Sequence, residues 1–298
     1  MADGNGAEQV PVLALTYGPS GAGKTTDMGY SFPRAIFVAA RGATQPIRNV
    51  VGYEPIVEEA RTISEATDLI IKWAERGGHH EAIVVDDFSF LAEQTFAQLD
   101  KKHSGFKLWG ALRDTTLEFR NAARYANCHV ILNCWERGPR TGNDGSRIRG
   151  GPSLSGKLPE QVPALCDLVL RCGQEPMRKP WPGVYRCHPD ASYVMKDRFN
   201  VATAADPTPM NLGEILRATG YNISRHPDLP WQENVVAQVA AELLATDASQ
   251  DTHIANQAYA GLLANSVPPM AARWTIRDAM DRAVISRALA ARDATFIS

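Results

Sequence analysis

Nine residues, Gly18-Pro-Ser-Gly-Ala-Gly-Lys24-Thr25-Thr26, constrain this chain more than any other feature. They match the pattern G-x-x-x-x-G-K-[ST]. Directly before them runs Val10-Pro-Val-Leu-Ala-Leu-Thr-Tyr17, an apolar stretch that reads as a buried strand, and the segment after Lys24 can start a helix. Strand, glycine-rich turn and helix in this order predict an α/β unit. Gly18, Gly21 and Gly23 let the backbone face its N–H groups inward, and the helix N-terminus adds its dipole, so the loop suits a chain of phosphates. Pro19, Ser20, Ala22 and Thr26 complete the cradle. In a loop of this kind Lys24 reaches the β- and γ-phosphates and the Thr25 hydroxyl ligates Mg²⁺, which makes Mg²⁺-ATP the expected ligand. Such a loop touches phosphates only and leaves the base unspecified.

A second segment supports the first. Ala82-Ile-Val-Val-Asp86-Asp87 is four apolar residues followed by acid, the Walker B pattern, in which a strand buried on both faces delivers a carboxylate beside the phosphate loop. Asp86 is assigned to Mg²⁺ and Asp87 to the attacking water. Ala35–Ala40 reads as another buried strand, Ile63–Arg76 as an amphipathic helix ended by Gly77-Gly78, and Phe88–His103 and Leu108–Ala126 as two more helices. His129–Asn133 is the next core strand, and Asn133 at its end either senses a γ-phosphate or caps the strand. Asp167–Cys172 is a further strand. Val184–His188 and Tyr193–Phe199 look like a hairpin around Pro189-Asp190. Alternating strands and helices behind a leading phosphate loop predict an α/β fold with a mostly parallel central sheet.

With 298 residues, 44% of them hydrophobic and 21% charged, the chain can hold one large domain or a core plus an appendage. The opening residues are polar and lack the pattern of a signal peptide, and no apolar run spans a membrane, so the expectation is a cytoplasmic protein with no membrane partner. Five cysteines, at 128, 134, 166, 172 and 187, form no CxxC pair and read as reduced, mostly buried thiols. The histidines form no HExxH, and His79-His80 reads as a solvated turn, so no structural zinc is expected. Net charge is −2, which excludes a polycation and confines any nucleic-acid site to a local patch.

One such patch is visible. Residues 136–157 hold few apolar side chains and read as a long loop carrying Arg137, Arg140, Arg147, Arg149 and Lys157 against Glu136 and Asp144. Cations on a flexible backbone can track phosphates without reading sequence; the plainer alternative is a solvated excursion. Trp135, Phe106 or Trp109 could stack on bases, with core packing the stronger role for either tryptophan. After about Asn200 prolines break the chain. Residues 10–205 read as the core, 206–227 as a linker and 228–298 as a lysine-free helical region. In that region Val236, Val239, Ala240, Leu243 and Leu244 form an apolar stripe, and helices are expected near 252–264 and 270–292.

Several segments together resemble a phage-encoded family of RecA-like ATPases whose better-known members are single-strand annealing recombinases. They are the phosphate loop at 18–25, Val-Val-Gly-Tyr-Glu-Pro at 50–55, Val-Val-Asp-Asp at 84–87 and Leu-Trp-Gly-Ala-Leu-Arg at 108–113. Further on come His-Val-Ile-Leu-Asn-Cys-Trp-Glu at 129–136, Gly-Gly-Pro-Ser-Leu-Ser-Gly-Lys-Leu-Pro at 150–159 and Met-Lys-Asp-Arg-Phe at 195–199. The resemblance covers about Val10 to Val201 and leaves the C-terminal helices outside as a small appendage. It implies a RecA-like P-loop core that assembles into a homo-oligomer, ring or filament, with ATP at the subunit boundary. Lys196 and Arg198 then match a Lys-x-Arg pattern that related hexameric ATPases use across that boundary; the alternative is an ordinary solvated strand edge. The loop at 136–157 falls where such proteins bind single-stranded DNA. A phage single-strand-binding or replication protein is the further partner it implies, inside a bacterial host.

The chain departs from that pattern once. RecA-like enzymes carry a catalytic glutamate after the second core strand, where this sequence reads Val38-Ala-Ala-Arg41-Gly42. Three functions stay open: an ATPase of DNA recombination and annealing, a helicase-like or packaging motor, and a nucleotide-gated assembly protein with slow or no hydrolysis.

Overall fold

The computed structural model describes residues 10–77, 80–174, 183–188, 192–224 and 233–297. The polar start, His79 and the turn at Pro189-Asp190 lie outside them. The first apolar run forms β1 (Leu13–Gly18), buried along its whole length. A glycine-rich turn leads into α1 (Lys24–Ser31), followed by β2 (Ile36–Ala39), β3 (Ile56–Glu58) and α2 (Ile63–Arg76). Then come β4 (Ala82–Asp86), α3 (Phe88–Asp100), α4 (Gly105–Tyr125) and β5 (His129–Arg137). Two short strands, β6 (Arg140–Thr141) and β7 (Arg147–Ile148), precede β8 (Gly151–Pro152), α5 (Leu158–Leu165) and β9 (Leu168–Gln174). The chain continues through β10 (Gly183–Arg186), β11 (Lys196–Asp197), β12 (Thr208–Pro209) and α6 (Leu212–Ala218). Helices α7 (Glu233–Ala245), α8 (Asp251–Ala264) and α9 (Pro269–Ile297) complete it.

Along the main sheet the order is β12-β10-β9-β1-β5-β4-β2-β3. From β9 to β3 every pairing is parallel, and β10, β11 and β12 join antiparallel beyond β9. The strand bearing Asn133 therefore lies between the phosphate-loop strand and the Asp86 strand. Every strand in this run ends at the same edge, where ligands of parallel α/β sheets bind. This is a RecA-like P-loop core, the fold class the sequence predicts.

Helices cover both faces. Helices α2 to α5 bury Ile63, Ile70, Leu112, Phe119 and Val162 against one face. Helix α2 matches its predicted span end to end, because Thr62 caps its start by accepting from Glu65 N and the apolar stripe fixes its inner side. On the other face α1 and α6 pack with α9 through Met28, Phe32, Leu212, Ile215 and Trp274. The opposite side of α9 packs on α7 and α8 around Val236, Leu243 and Ala279. The C-terminal helices are thus an appendage fastened to the core by one shared helix.

Three expectations need correction. The stretch 206–227 is not a linker where described, because β12 pairs with β10 and α6 is buried in the core. The segments at 184–188 and 193–199 are not a hairpin, since each pairs with a different part of β9 rather than with the other. Residues 136–157 are not one long loop. Strand β5 runs on to Arg137, β6 and β7 form a hairpin, and β8 returns to pair with β5.

Candidate functional site

At the carboxyl edge of the sheet the chain turns from β1 into α1. Gly23 stands at the helix N-cap with φ 93°, a conformation side chains rarely adopt. A Cβ on Gly18 would lie 2.7 Å from Cys172 Cβ, so β9 requires glycine there. Pro19, Ser20 and Gly21 are exposed, whereas Ala22, Lys24 and Thr26 are buried. The Lys24 ammonium donates to the Gly18 carbonyl at 2.9 Å and the Pro19 carbonyl at 3.0 Å. It is held inside the loop, 8% exposed.

Thr25 and Asp86 meet, Thr25 Oγ1 donating to Asp86 Oδ2 at 2.5 Å. Burial raises the Asp86 pKa, and the Thr25 hydroxyl, the Asn133 amide and the Lys24 charge oppose that rise. Asn133 is fully buried, opposite Asp86 on one side and Thr16 on the other. Thr16 Oγ1 donates to Asn133 Oδ1 at 2.7 Å, while Asn133 Nδ2 completes no hydrogen bond within the protein. A buried donor left over beside a carboxylate and a lysine fits a ligand rich in oxygen. The hydroxyl and carboxylate are hard oxygen donors of the kind Mg²⁺ takes, with room left for phosphate oxygens. These residues therefore fit Mg²⁺-ATP: Thr25 and Asp86 would hold the cation, and the loop backbone and Lys24 the phosphates.

Asp87 follows in the chain and caps α3, its Oδ1 accepting from Ser89 N at 2.7 Å and Phe90 N at 3.3 Å. Burial, with the Asp86 charge second, pushes it up to about 6. At the end of β2, beside Asp86 in the ladder, Ala40 and Arg41 are exposed and no acid is present.

Lys196 and Arg198 lie elsewhere. Strand β11 pairs with the start of β9, the end of the sheet away from Gly18. Lys196 Nζ donates to the carbonyls of Ala164 at 3.0 Å and Cys166 at 2.5 Å. Arg198 pairs with Asp167 at 2.7 Å, alongside Arg124 at 2.6 Å. The structure does not bring these cations to the Lys24 of their own chain.

The arginine-bearing segment leaves from the phosphate edge. Trp135 of β5 sits opposite Gly18, so the next residues pass beyond the loop strand. Glu136 is taken by Arg171 through bonds of 3.0 and 3.1 Å, and the Arg171 guanidinium lies 3.8 Å over the Tyr193 ring. That pairing removes one of the two acids from the segment's charge. Asp144 tightens the hairpin turn by accepting from Ser146 N at 3.0 Å. Arg140, Arg147 and Arg149 are exposed, and Arg147 reaches Ser192 Oγ at 2.5 Å. Arg137 is half-buried, its Nε lacks a partner, and burial together with Arg140 lowers its pKa. Lys157 stands apart from the hairpin at the start of α5, next to Gly156, where a Cβ would collide with the Trp109 ring. Neither tryptophan is core: Trp109 is 45% exposed, Trp135 38%, and Phe106 97%.

Sequence reasoning passed over Thr16 and a second cluster behind α1. Asp27 is buried and accepts from the Tyr185 hydroxyl, Ser31 Oγ and Leu212 N. The Tyr30 hydroxyl donates to Asp278 of α9, and the Arg277 guanidinium lies 4.3 Å over the Tyr30 ring. For Thr16 a signal existed, a lone polar residue in an apolar strand. For the cluster none did, because its members are far apart in sequence.

A family model described as an AAA domain matches residues 11–199. Among solved structures, a RadB recombinase aligns with TM-score 0.37 and 18% identity, over 59% of this chain and 79% of its own. No curated protein matches the sequence. No helix among the described residues is long and apolar enough to cross a membrane.

Proposed function

Because this chain belongs to a P-loop ATPase family, the AAA domain, we propose that it binds and hydrolyses Mg²⁺-ATP in the service of single-stranded DNA recombination or annealing. One observation carries this reading. The strand that presents Asn133 to the loop and Asp86 runs on to Arg137, and only Gly138 and Pro139 separate its end from the arginine hairpin. A change at the terminal phosphate and a contact with a polyanion would then act a few residues apart on one stretch of chain. Three exposed arginines on a narrow ribbon suit a phosphate backbone, which they would follow without selecting bases.

Charge reversal tests it. Arg147→Glu with Arg149→Glu is expected to weaken binding of a labelled single-stranded oligonucleotide about tenfold or more. The slope of log affinity against log salt should flatten by roughly 1.4, two phosphate contacts' worth. Fluorescence anisotropy across a salt series reads both, and unchanged affinity and slope would remove the hairpin from DNA binding.

Assembly belongs to the same proposal. Lys196 and Arg198 would serve ATP only from a neighbouring copy, and the Arg198 side chain, 56% exposed, is reachable for that. A head-to-tail homo-oligomer would bring them to the next subunit's site.

A nucleotide-gated assembly protein with slow hydrolysis is the second reading. It is favoured by the absence of an acid after β2 and by the commitment of Asp87 to capping α3. Asp87→Asn separates the two, since asparagine caps a helix as well as aspartate does. If Asp87 orients water, the variant keeps its unfolding midpoint and loses roughly a hundredfold in kcat. Wild-type turnover then falls as pH drops through about 6, where the carboxylate takes up its proton. Unchanged turnover and a flat pH profile would assign Asp87 to the cap alone.

A further inference from the structure

A row of buried polar side chains crosses the three central strands. Thr16 of β1 lies opposite Asn133 of β5, and Asn133 lies opposite Asp86 of β4. Thr16 and Asn133 are 0% exposed and Asp86 5%. At one end of the row Asp86 meets Thr25 of the loop helix. At the other, the Thr16 hydroxyl donates to Asn133 Oδ1 at 2.7 Å. The backbone ladders of β1 run unbroken on both sides, so the strand has no use for this hydroxyl in its own pairing.

A carboxamide presents an acceptor at one end and donors at the other, and a half-turn of its plane exchanges them. The Asp86 carboxylate, an acceptor only, excludes one orientation of Asn133, and the Thr16 hydroxyl fastens the amide in the other. By donating to Oδ1 it turns that atom toward β1 and leaves Nδ2 facing the Asp86 side of the site. The reverse orientation would place two acceptors, Oδ1 and the Asp86 carboxylate, against each other. Nδ2 lies close enough to the Asp86 carboxylate to lower its pKa but completes no hydrogen bond there, although the residue is sealed from water. A donor in that position is satisfied when an anionic oxygen arrives beside Asp86 and Lys24.

We propose that Thr16 is a positioning residue: it locks the Asn133 amide so that Nδ2 donates to the terminal phosphate of a bound nucleoside triphosphate and marks triphosphate from diphosphate. The inference rests on the nucleotide-site reading above. It makes the selectivity of the site depend on a hydroxyl that itself touches no ligand. Loss of that hydroxyl leaves Oδ1 without its anchor and lets the amide tilt, and the triphosphate loses a contact the diphosphate never had.

The test is calorimetric titration of the full-length protein with Mg²⁺-ADP and with Mg²⁺-AMP-PNP, for wild type, Thr16→Val, Thr16→Ser and Asn133→Ala. Valine keeps the shape and deletes the hydroxyl; serine keeps the hydroxyl. Thr16→Val is expected to bind ADP within about twofold of wild type and AMP-PNP about tenfold more weakly, the size of one lost hydrogen bond. Thr16→Ser retains both affinities, and Asn133→Ala shows the same selective loss. Thr16→Val combined with Asn133→Ala loses no more than Asn133→Ala does, because the hydroxyl acts only through the amide. Equal weakening of both nucleotides in Thr16→Val, no weakening, additive losses in the double variant, or a selective loss in Thr16→Ser would each overturn the inference. Should Thr16→Val fail to fold by circular dichroism, Thr16→Ala deletes the same hydroxyl and is read by the same criteria. A wild-type chain that binds neither nucleotide would overturn the site reading as well, a result distinct from binding without selectivity.

Discussion

Replacing Lys24 with alanine is expected to lower ATP turnover by roughly 10³-fold, with or without single-stranded DNA. The ammonium is almost wholly buried and is held by two loop carbonyls, those of Gly18 and Pro19. It lies within the loop itself, and its charge already acts on both Asp86 and Asp87. In a water-poor site a fixed charge of this kind stabilises developing phosphate charge far better than water does. The fold does not depend on it, since β1 and α1 are secured by their own ladders and core contacts. Phosphate release measured beside a thermal melt reads both quantities. Turnover that survives in a folded Lys24→Ala variant would take the phosphate loop out of the chemistry. Wild-type turnover that DNA stimulates, and that Lys24→Ala abolishes, would join the loop to the arginine hairpin.

A second large effect lies behind the loop helix. Arg277→Ala is expected to cost about 3–5 kcal/mol of stability, the range for removing one partner from a buried ion cluster. Arg277 reaches from α9 to the Met210 carbonyl, to Asp281 at 3.3 Å and toward Asp27 at 3.9 Å, and it covers the Tyr30 ring. Asp27 is fully buried, and that burial lifts its pKa from 3.8 to about 6 against the pull of Arg277. A carboxyl whose pKa is raised by folding favours the native state in its neutral form. Its contribution therefore improves as pH falls from above 6 toward 3.8 and is worst above 6. Without Arg277 the charged form is left more isolated, so the variant's deficit should be largest near neutral and alkaline pH. It should shrink as Asp27 takes up its proton. Urea unfolding of both proteins on either side of that window measures this, and an equal deficit at every pH would show that Asp27 is not the partner that matters.

How much of this was readable beforehand differs from element to element. The phosphate loop, Asp86 and helix α2 stand out in the sequence because their signals are local: a fixed spacing, an apolar run ending in acid, a 3.6-residue stripe with a threonine cap. Strand β3 went unseen because it is three residues long, half exposed and carries no apolar run. Helix α6 went unseen because the nearby prolines Pro207 and Pro209 suggested a break, whereas Pro209 lies within a buried strand. The false hairpin at 184–199 has a different cause. Strand patterns name a strand without naming its partner, and β9 is long enough to take β10 and β11 in succession. In the site, Thr25 and Asp86 were legible as a pair by motif. The orientation of Asn133 was not, because it depends on a hydroxyl 117 positions earlier in the chain.

The sharing of α9 between two cores bears on the order in which the protein is made. Tyr30 and Asp278, which join α1 to α9, are 248 positions apart, so α1 is closed over by a helix that leaves the ribosome much later. Until Trp274 and its neighbours emerge, α1 and α6, on the face of the sheet behind the phosphate loop, lack the helix that packs over them, while the opposite face already has α2 to α5. Maturation is therefore lopsided in time. One face of the sheet can be finished early in synthesis, and the face behind the phosphate loop waits until α9 has been made, when a helix arriving from far away has to find it.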